Sequence, residues 1–267
     1  MKKTLLFLFI IMLFLLSSCT IGLDYDEIYQ DYEEHLQENQ EVYLERINFL
    51  NHISENIVRG VVKVKRLSSN QSSVALGSGI VFYDDALYYY ILTNNHVVYD
   101  EDVSESTYTV YDYQNNTYPA TYMVGDRNYD LAVIRIRKRL SRVLAIPFAA
   151  DNLEINSDVT TIGYPESQSN SINTGMLLDY GDVTIDLPST VIDIDFEVMI
   201  ADLPLKSGSS GSGAINNNFE LIGIVFAGNF TGGSNIADYS FIIPISEVKE
   251  FLALHEFSYR EAKSWKK

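Results

Sequence analysis

The chain has 267 residues, 46% of them hydrophobic, with 36 acidic against 19 basic side chains and a formal net charge of −17. That apolar content builds a globular core and excludes a disordered chain, and the length suits one two-lobed domain or two small ones. The acidity makes nucleic acid a poor partner, and the single cysteine, Cys19, excludes an intramolecular disulfide and a cysteine-ligated structural zinc.

The N-terminus reads MKKTLLFLFIIMLFLLSSC: two lysines, an unbroken apolar run from Leu5 to Leu16, then small residues, the layout of a secretory signal. This run is shorter than the roughly 20 residues a spanning helix needs, so removal of residues 1–18 is expected. Leu16-Ser17-Ser18-Cys19 resembles the lipobox of bacterial lipoproteins. The resemblance implies cleavage before Cys19, acylation of its thiol, and a lipid anchor on the extracytoplasmic face of the cell membrane. Loss of residues 1–18 removes two lysines and no acid, leaving a net charge near −19. The acids concentrate between Asp24 and Glu45 and between Asp179 and Glu197; both clusters read as solvated faces, with attraction of basic substrates as the alternative.

Across residues 24–57, Ile28, Tyr32, Leu36, Tyr43, Ile47, Leu50 and Ile57 recur at spacings of three, four and seven with acids between them and no Gly or Pro. This pattern predicts an amphipathic helix, either a stalk or an element that packs back on the domain. From Ile57 the texture changes to short segments rich in Val, Ile, Tyr and Thr: IVRGVVKVKR, VALGSGIVFY, LYYYILT, YTVYDY, YPATYMV and LAVIRIRK. After a connection at residues 138–158 a second set follows: VTTIGY, INTGMLLDYG, TVIDIDFEVMI, GAINN, LIGIVFAG and YSFIIPI. Their length, composition and turn-forming boundaries predict antiparallel strands, and EVKEFLALHEF returns to helical spacing. Two groups of about six strands predict an all-β fold of two packed barrels, about 57–137 and about 158–245, with a helix at each end and a tail at 253–267.

Residues 206–216, KSGSSGSGAIN, fit either a flexible linker or a turn presenting a nucleophilic serine, Ser209, Ser210 or Ser212. A serine hydroxyl needs a base. Of the four histidines, His35 and His52 fall in the acidic helix and His255 in the terminal one, whereas His96 stands at a strand end in ILTNNHVVY. A catalytic imidazole needs a carboxylate to fix its tautomer, and Asp130 stands directly before LAVIRI, with Asp126 as a rival in the same loop. The order His, Asp, Ser differs from the Ser, acid, His order of α/β-hydrolases, and Ser212 occupies the place where G-x-S-x-G requires glycine.

LTNNHVV, DLAVIRI, TIGYP, GSSGSGAIN, LIGI and FIIPI, in this order, resemble the motifs of chymotrypsin-fold serine proteases and, within them, the HtrA (Deg) branch. The likeness covers about residues 58–252. It implies two six-stranded barrels with the site between them, His96 as general base, Asp130 as its orienting acid and Ser210 as nucleophile. It further implies backbone N–H groups of Gly208 and Ser210 as the oxyanion hole, and Ile224, Val225 and Phe226 as the lining of the pocket for the residue before the scissile bond, which would favour cleavage after small aliphatic residues. Ser209 and Ser212 depart from the family's G-N-S-G-G. No metal, no cofactor and no PDZ domain after the barrels is expected. The implied function is a membrane-anchored serine endopeptidase acting on proteins or peptides, with a role in envelope protein quality control. The alternative is a catalytically weak protease-fold lipoprotein serving as a binding or adhesion module.

Overall fold

In a computed structural model, residues 25–69, 73–99, 105–139, 143–165, 171–187, 190–192 and 194–262 are described. The expected secretory leader and Cys19 lie outside the described residues. Helix α1 (Tyr25–Glu55) leads through a 3-10 turn (Ile57–Gly60) into β1 (Val61–Ser68), β2 (Val74–Asp84) and β3 (Tyr88–Asn94). A single helical turn, α2 (Asn95–Val98), precedes β4 (Ser106–Tyr111), β5 (Thr117–Asp126) and β6 (Leu131–Arg137). These strands close an antiparallel barrel in the order β1-β2-β3-β6-β5-β4.

The second barrel uses β7 (Asp158–Gly163), β8 (Ser171–Gly181), β11 (Val198–Ala201), β12 (Gly213–Ile215), β13 (Leu221–Asn229) and β14 (Tyr239–Pro244), in the order β11-β14-β13-β12-β7-β8. The expected fold of two six-stranded barrels with a helix at each end is therefore present, the last helix being α3 (Ile245–Leu254). One expected strand is divided. TVIDIDFEVMI contributes β10 (Thr190–Ile192) to a separate hairpin with β9 (Ile185–Leu187), and only its end enters the barrel as β11. The break falls where Asp195 and Glu197 alternate with Ile194 and Phe196. GAINN likewise stops at Ile215, because the Asn216 side chain accepts the N–H groups of Asn218 and Glu220 and turns the chain.

Alternating burial fills each barrel with its own core. Val62, Val64, Val81, Ile91, Val110 and Ile134 pack inside the first, and Val159, Leu177, Met199, Ala214, Val225 and Ile242 inside the second. The opposite faces of the same strands meet in a third cluster, where Ile80, Phe82, Leu92 and Leu131 of the first barrel pack with Ile162, Ile224, Phe226 and Ile243 of the second and with Val248 and Phe251 of α3. The connecting segment is bonded into both sides: Ile146 N–H donates to Val81 O, and Leu221 exchanges backbone hydrogen bonds with Pro147 and Ala149.

The chain divides into residues 1–48 and 49–267 as compact units. Within the second, the end of α1 packs inward: Ile53 is fully buried, Phe49 stacks on Phe219 at 5.1 Å and the His52 ring lies 4.1 Å from it. Upstream, Tyr29, Tyr32, Leu36 and Tyr43 of the amphipathic stripe are exposed. No helix of the described residues is long and apolar enough to cross a membrane.

Candidate active site

β3 ends at Asn94, whose extended backbone turns the chain into α2 and so sets His96 at the rim of the first barrel. Asp130 closes the β5–β6 turn opposite. Its carboxylate accepts two hydrogen bonds from one residue: Oδ1 from the His96 backbone N–H at 3.0 Å and Oδ2 from His96 Nδ1 at 2.7 Å. That grip puts the proton on Nδ1 and makes Nε2 the acceptor, and Nε2 has no protein partner among the described residues.

Asp130 is itself held. It is 3% exposed, and its φ of 47° is left-handed, a region that aspartate tolerates better than most residues. Its N–H donates to Arg127 O, and its carbonyl accepts from Asn95 N–H and Asn94 Nδ2. The Asn94 Oδ1 beside it is buried without a partner. The preceding Tyr129 donates its hydroxyl to Glu250 of α3 at 3.0 Å and packs on Phe196 and Phe251. Burial, with the Glu250 bond second, pushes that phenol up to about 12. The rival acid Asp126 stands 3.9 Å from His255 Nε2 and makes no bond to His96.

KSGSSGSGAIN is a turn. Ser209 N–H donates to Lys206 O, Ser212 N–H to Ser209 O, and Gly211 N–H to Val225 O. Gly208 and Gly211 have φ of 89° and 84°, which residues with a Cβ rarely adopt. Among the described residues the N–H groups of Gly208 and Ser210 donate to nothing, unlike their neighbours. The Ser210 hydroxyl points to Phe226 O at 3.4 Å, and no hydrogen bond joins it to His96. The two halves are nonetheless neighbours: a Cβ on Gly77 would lie 2.8 Å from the side chain of Val97, next to His96, and 3.0 Å from Ser210 O.

The side chains named for the expected pocket lining are buried. Ile224, Val225 and Phe226 are at most 1% exposed, and alternation sends Val225 into the second barrel while Ile224 and Phe226 enter the cluster between barrels. What this segment offers the site is backbone, through Phe226 O. Residues that sequence reasoning passed over also shape the site. Ser78 reaches the serine turn, and Gly163 leaves room for Ser212, since a Cβ there would overlap Ser212 Oγ. Glycines inside the strand segments VALGSGIVFY and VTTIGY were the available signal, because glycine within a strand marks close backbone approach.

A sequence profile described as the trypsin-like peptidase domain matches residues 77–224, more than half of the chain. The chain belongs to this family. Among similar trypsin-like proteins, the HtrA-like serine protease of Staphylococcus aureus (strain bovine RF122 / ET3-1) is 27% identical over 219 residues, covering 74% of this chain and 27% of that protein. Serine protease HTRA1B of Danio rerio is 29% identical over 226 residues, covering 81% of this chain and 43% of that one. The chain thus spans less than half the length of these curated relatives. The Rv3671c protease of M. tuberculosis in its active form shares the fold, with a TM-score of 0.61 at 22% identity over 76% of this chain and 84% of that one. Among the described residues no group of side chains is arranged to hold a metal ion.

Proposed function

We propose that this trypsin-like protein is a serine endopeptidase that cleaves proteins or peptides through an acyl-enzyme. The observation that carries the reading is the double hydrogen bond from His96 to a buried, backbone-locked Asp130, which leaves Nε2 as a base of fixed tautomer. Ser210 attacks the scissile carbonyl and His96 Nε2 takes its proton. The carbonyl oxygen, as it becomes negative, receives the free N–H groups of Gly208 and Ser210, each such donor contributing roughly 3 kcal/mol at the transition state. The imidazolium, stabilised by Asp130, returns the proton to the leaving amine, and water then hydrolyses the ester by the same route. For this to begin, the Ser210 hydroxyl turns from Phe226 O toward His96, an approach that bound substrate would favour.

The substrate class is supported by the free edge of β13. β12 pairs with it to Ile224 and the serine turn bonds Val225 and Phe226, while β14 follows it to Asn229, so past Phe226 the strand is paired on one side among the described residues. An extended peptide backbone fits such an edge. The HtrA likeness supports protein chains of the cell envelope as substrates. The leader and Leu16-Ser17-Ser18-Cys19 support a lipid anchor through Cys19, holding the domain on the extracytoplasmic face.

Fluorophosphonate labelling tests the reading. The wild type should label and Ser210→Ala should not, while Ser209→Ala and Ser212→Ala still do; an unlabelled wild type would favour a binding module. For the anchor, the mature protein should partition into Triton X-114 and Cys19→Ser should release it to the aqueous phase.

A further inference from the structure

We propose that Ser78 is a positioning residue that sets the oxyanion turn, an inference that rests on the serine-peptidase reading for its catalytic consequence. Ser78 lies in β2 of the first barrel, is 0% exposed, and is bonded through every polar atom it has. Its backbone N–H donates to Ser210 O at 2.7 Å. Its hydroxyl donates to Gly208 O at 3.1 Å and accepts the N–H of Tyr164 at 2.9 Å. Its carbonyl accepts from Thr93 Oγ1 at 2.7 Å, on the strand that leads to His96.

Peptide planarity turns these bonds into a constraint on the turn that carries the Ser210 N–H donor. Ser78 pins the carbonyls of residues 208 and 210, and with them the planes of the 208–209 and 210–211 peptides. The peptide between them, 209–210, has its carbonyl drawn to Ser212 N–H, so its own N–H, that of Ser210, must point the opposite way. The turn is thereby fixed with a donor facing outward that no protein atom satisfies. Space is reserved for this arrangement: a Cβ on Gly211 would overlap Ser78 O, and one on Gly163 would lie 2.8 Å from Ser78 Oγ. Through Thr93 on one side and Gly208 and Ser210 on the other, a single residue links the strand of the base to the turn of the nucleophile.

The test is Ser78→Ala, which removes the hydroxyl bonds and keeps the backbone bond, compared with Ile80→Val as a buried control in the same strand. Hydrogen exchange at the bonded amides of Ser209, Gly211 and Ser212 should accelerate at least tenfold in Ser78→Ala and stay unchanged in Ile80→Val. On a peptide substrate, kcat should fall about 10- to 100-fold with KM within twofold, and affinity for a peptide aldehyde, whose adduct fills the oxyanion hole, should fall in parallel with kcat. Unchanged exchange would overturn the proposal, as would a loss confined to KM or an equal loss of kcat in Ile80→Val. A wild type that fails to label with fluorophosphonate would instead remove the peptidase reading, and the exchange measurement would still decide whether Ser78 holds the turn.

Discussion

Asp130 carries a heavier load than a charge near a histidine. Its two carboxylate oxygens hold the His96 ring and the His96 backbone at once, and its own left-handed backbone is braced by Arg127, Asn94 and Asn95. Asp130→Asn keeps the volume but presents an amide N–H toward one of two donors, which forces the wrong imidazole tautomer or breaks the pair. A fall in kcat of about 10⁴ is expected, with the folded structure retained, as read from single-turnover kinetics and thermal melting. Asp126→Asn should change kcat less than about tenfold, since Asp126 faces His255. His96 and Asp130 were legible in the sequence because each sits in a contiguous motif whose strand boundary is local. Ser78 was not, because its partners Gly208 and Tyr164 lie 130 and 86 residues away and no local pattern announces them.

The strands were legible for the same reason that single residues at long range were not: alternation and turn residues act over a few positions. Where alternation fails, side-chain direction is not legible in the sequence. The register of β13 slips between Val225 and Ala227, and the direction of each side chain there follows from barrel closure. The β5–β6 turn shows how one element is tied to another. Tyr129 leaves it to bond Glu250 on α3, and the raised phenol means that the folded state holds this proton more tightly than the unfolded chain does. The associated stability is complete below pH 10 and is lost as pH rises through about 12. Tyr129→Phe should therefore flatten the decline in unfolding free energy over that window, measured by urea unfolding at successive pH values. Tyr108, Tyr122 and Tyr180, raised by burial, should keep part of the slope.

Beyond α3 the chain turns at Glu256 and docks on the first barrel and the connecting segment. Phe257 lies edge-on to Phe82 and Tyr90, Tyr259 stacks on Phe148 at 5.0 Å, and Arg260 pairs with Asp84 while its carbonyl and the Ala262 N–H bond to the Phe148 backbone. The sequence marked this stretch only as a tail, since its docking partners are far away in the chain. Deleting residues 256–267 exposes the surface under two half-buried aromatic rings and should lower stability by about 3 kcal/mol, seen as a lower urea midpoint in a single cooperative transition. That cooperativity has a consequence in time. The Gly208–Ser78 bond spans 130 residues and the Arg260–Asp84 pair spans 176, so the serine turn and the closing segment are fixed only once their distant partners have been made. On the serine-peptidase reading proposed above, a centre assembled this way is silent until its distant segments have met, so activity arrives with folding and not before it.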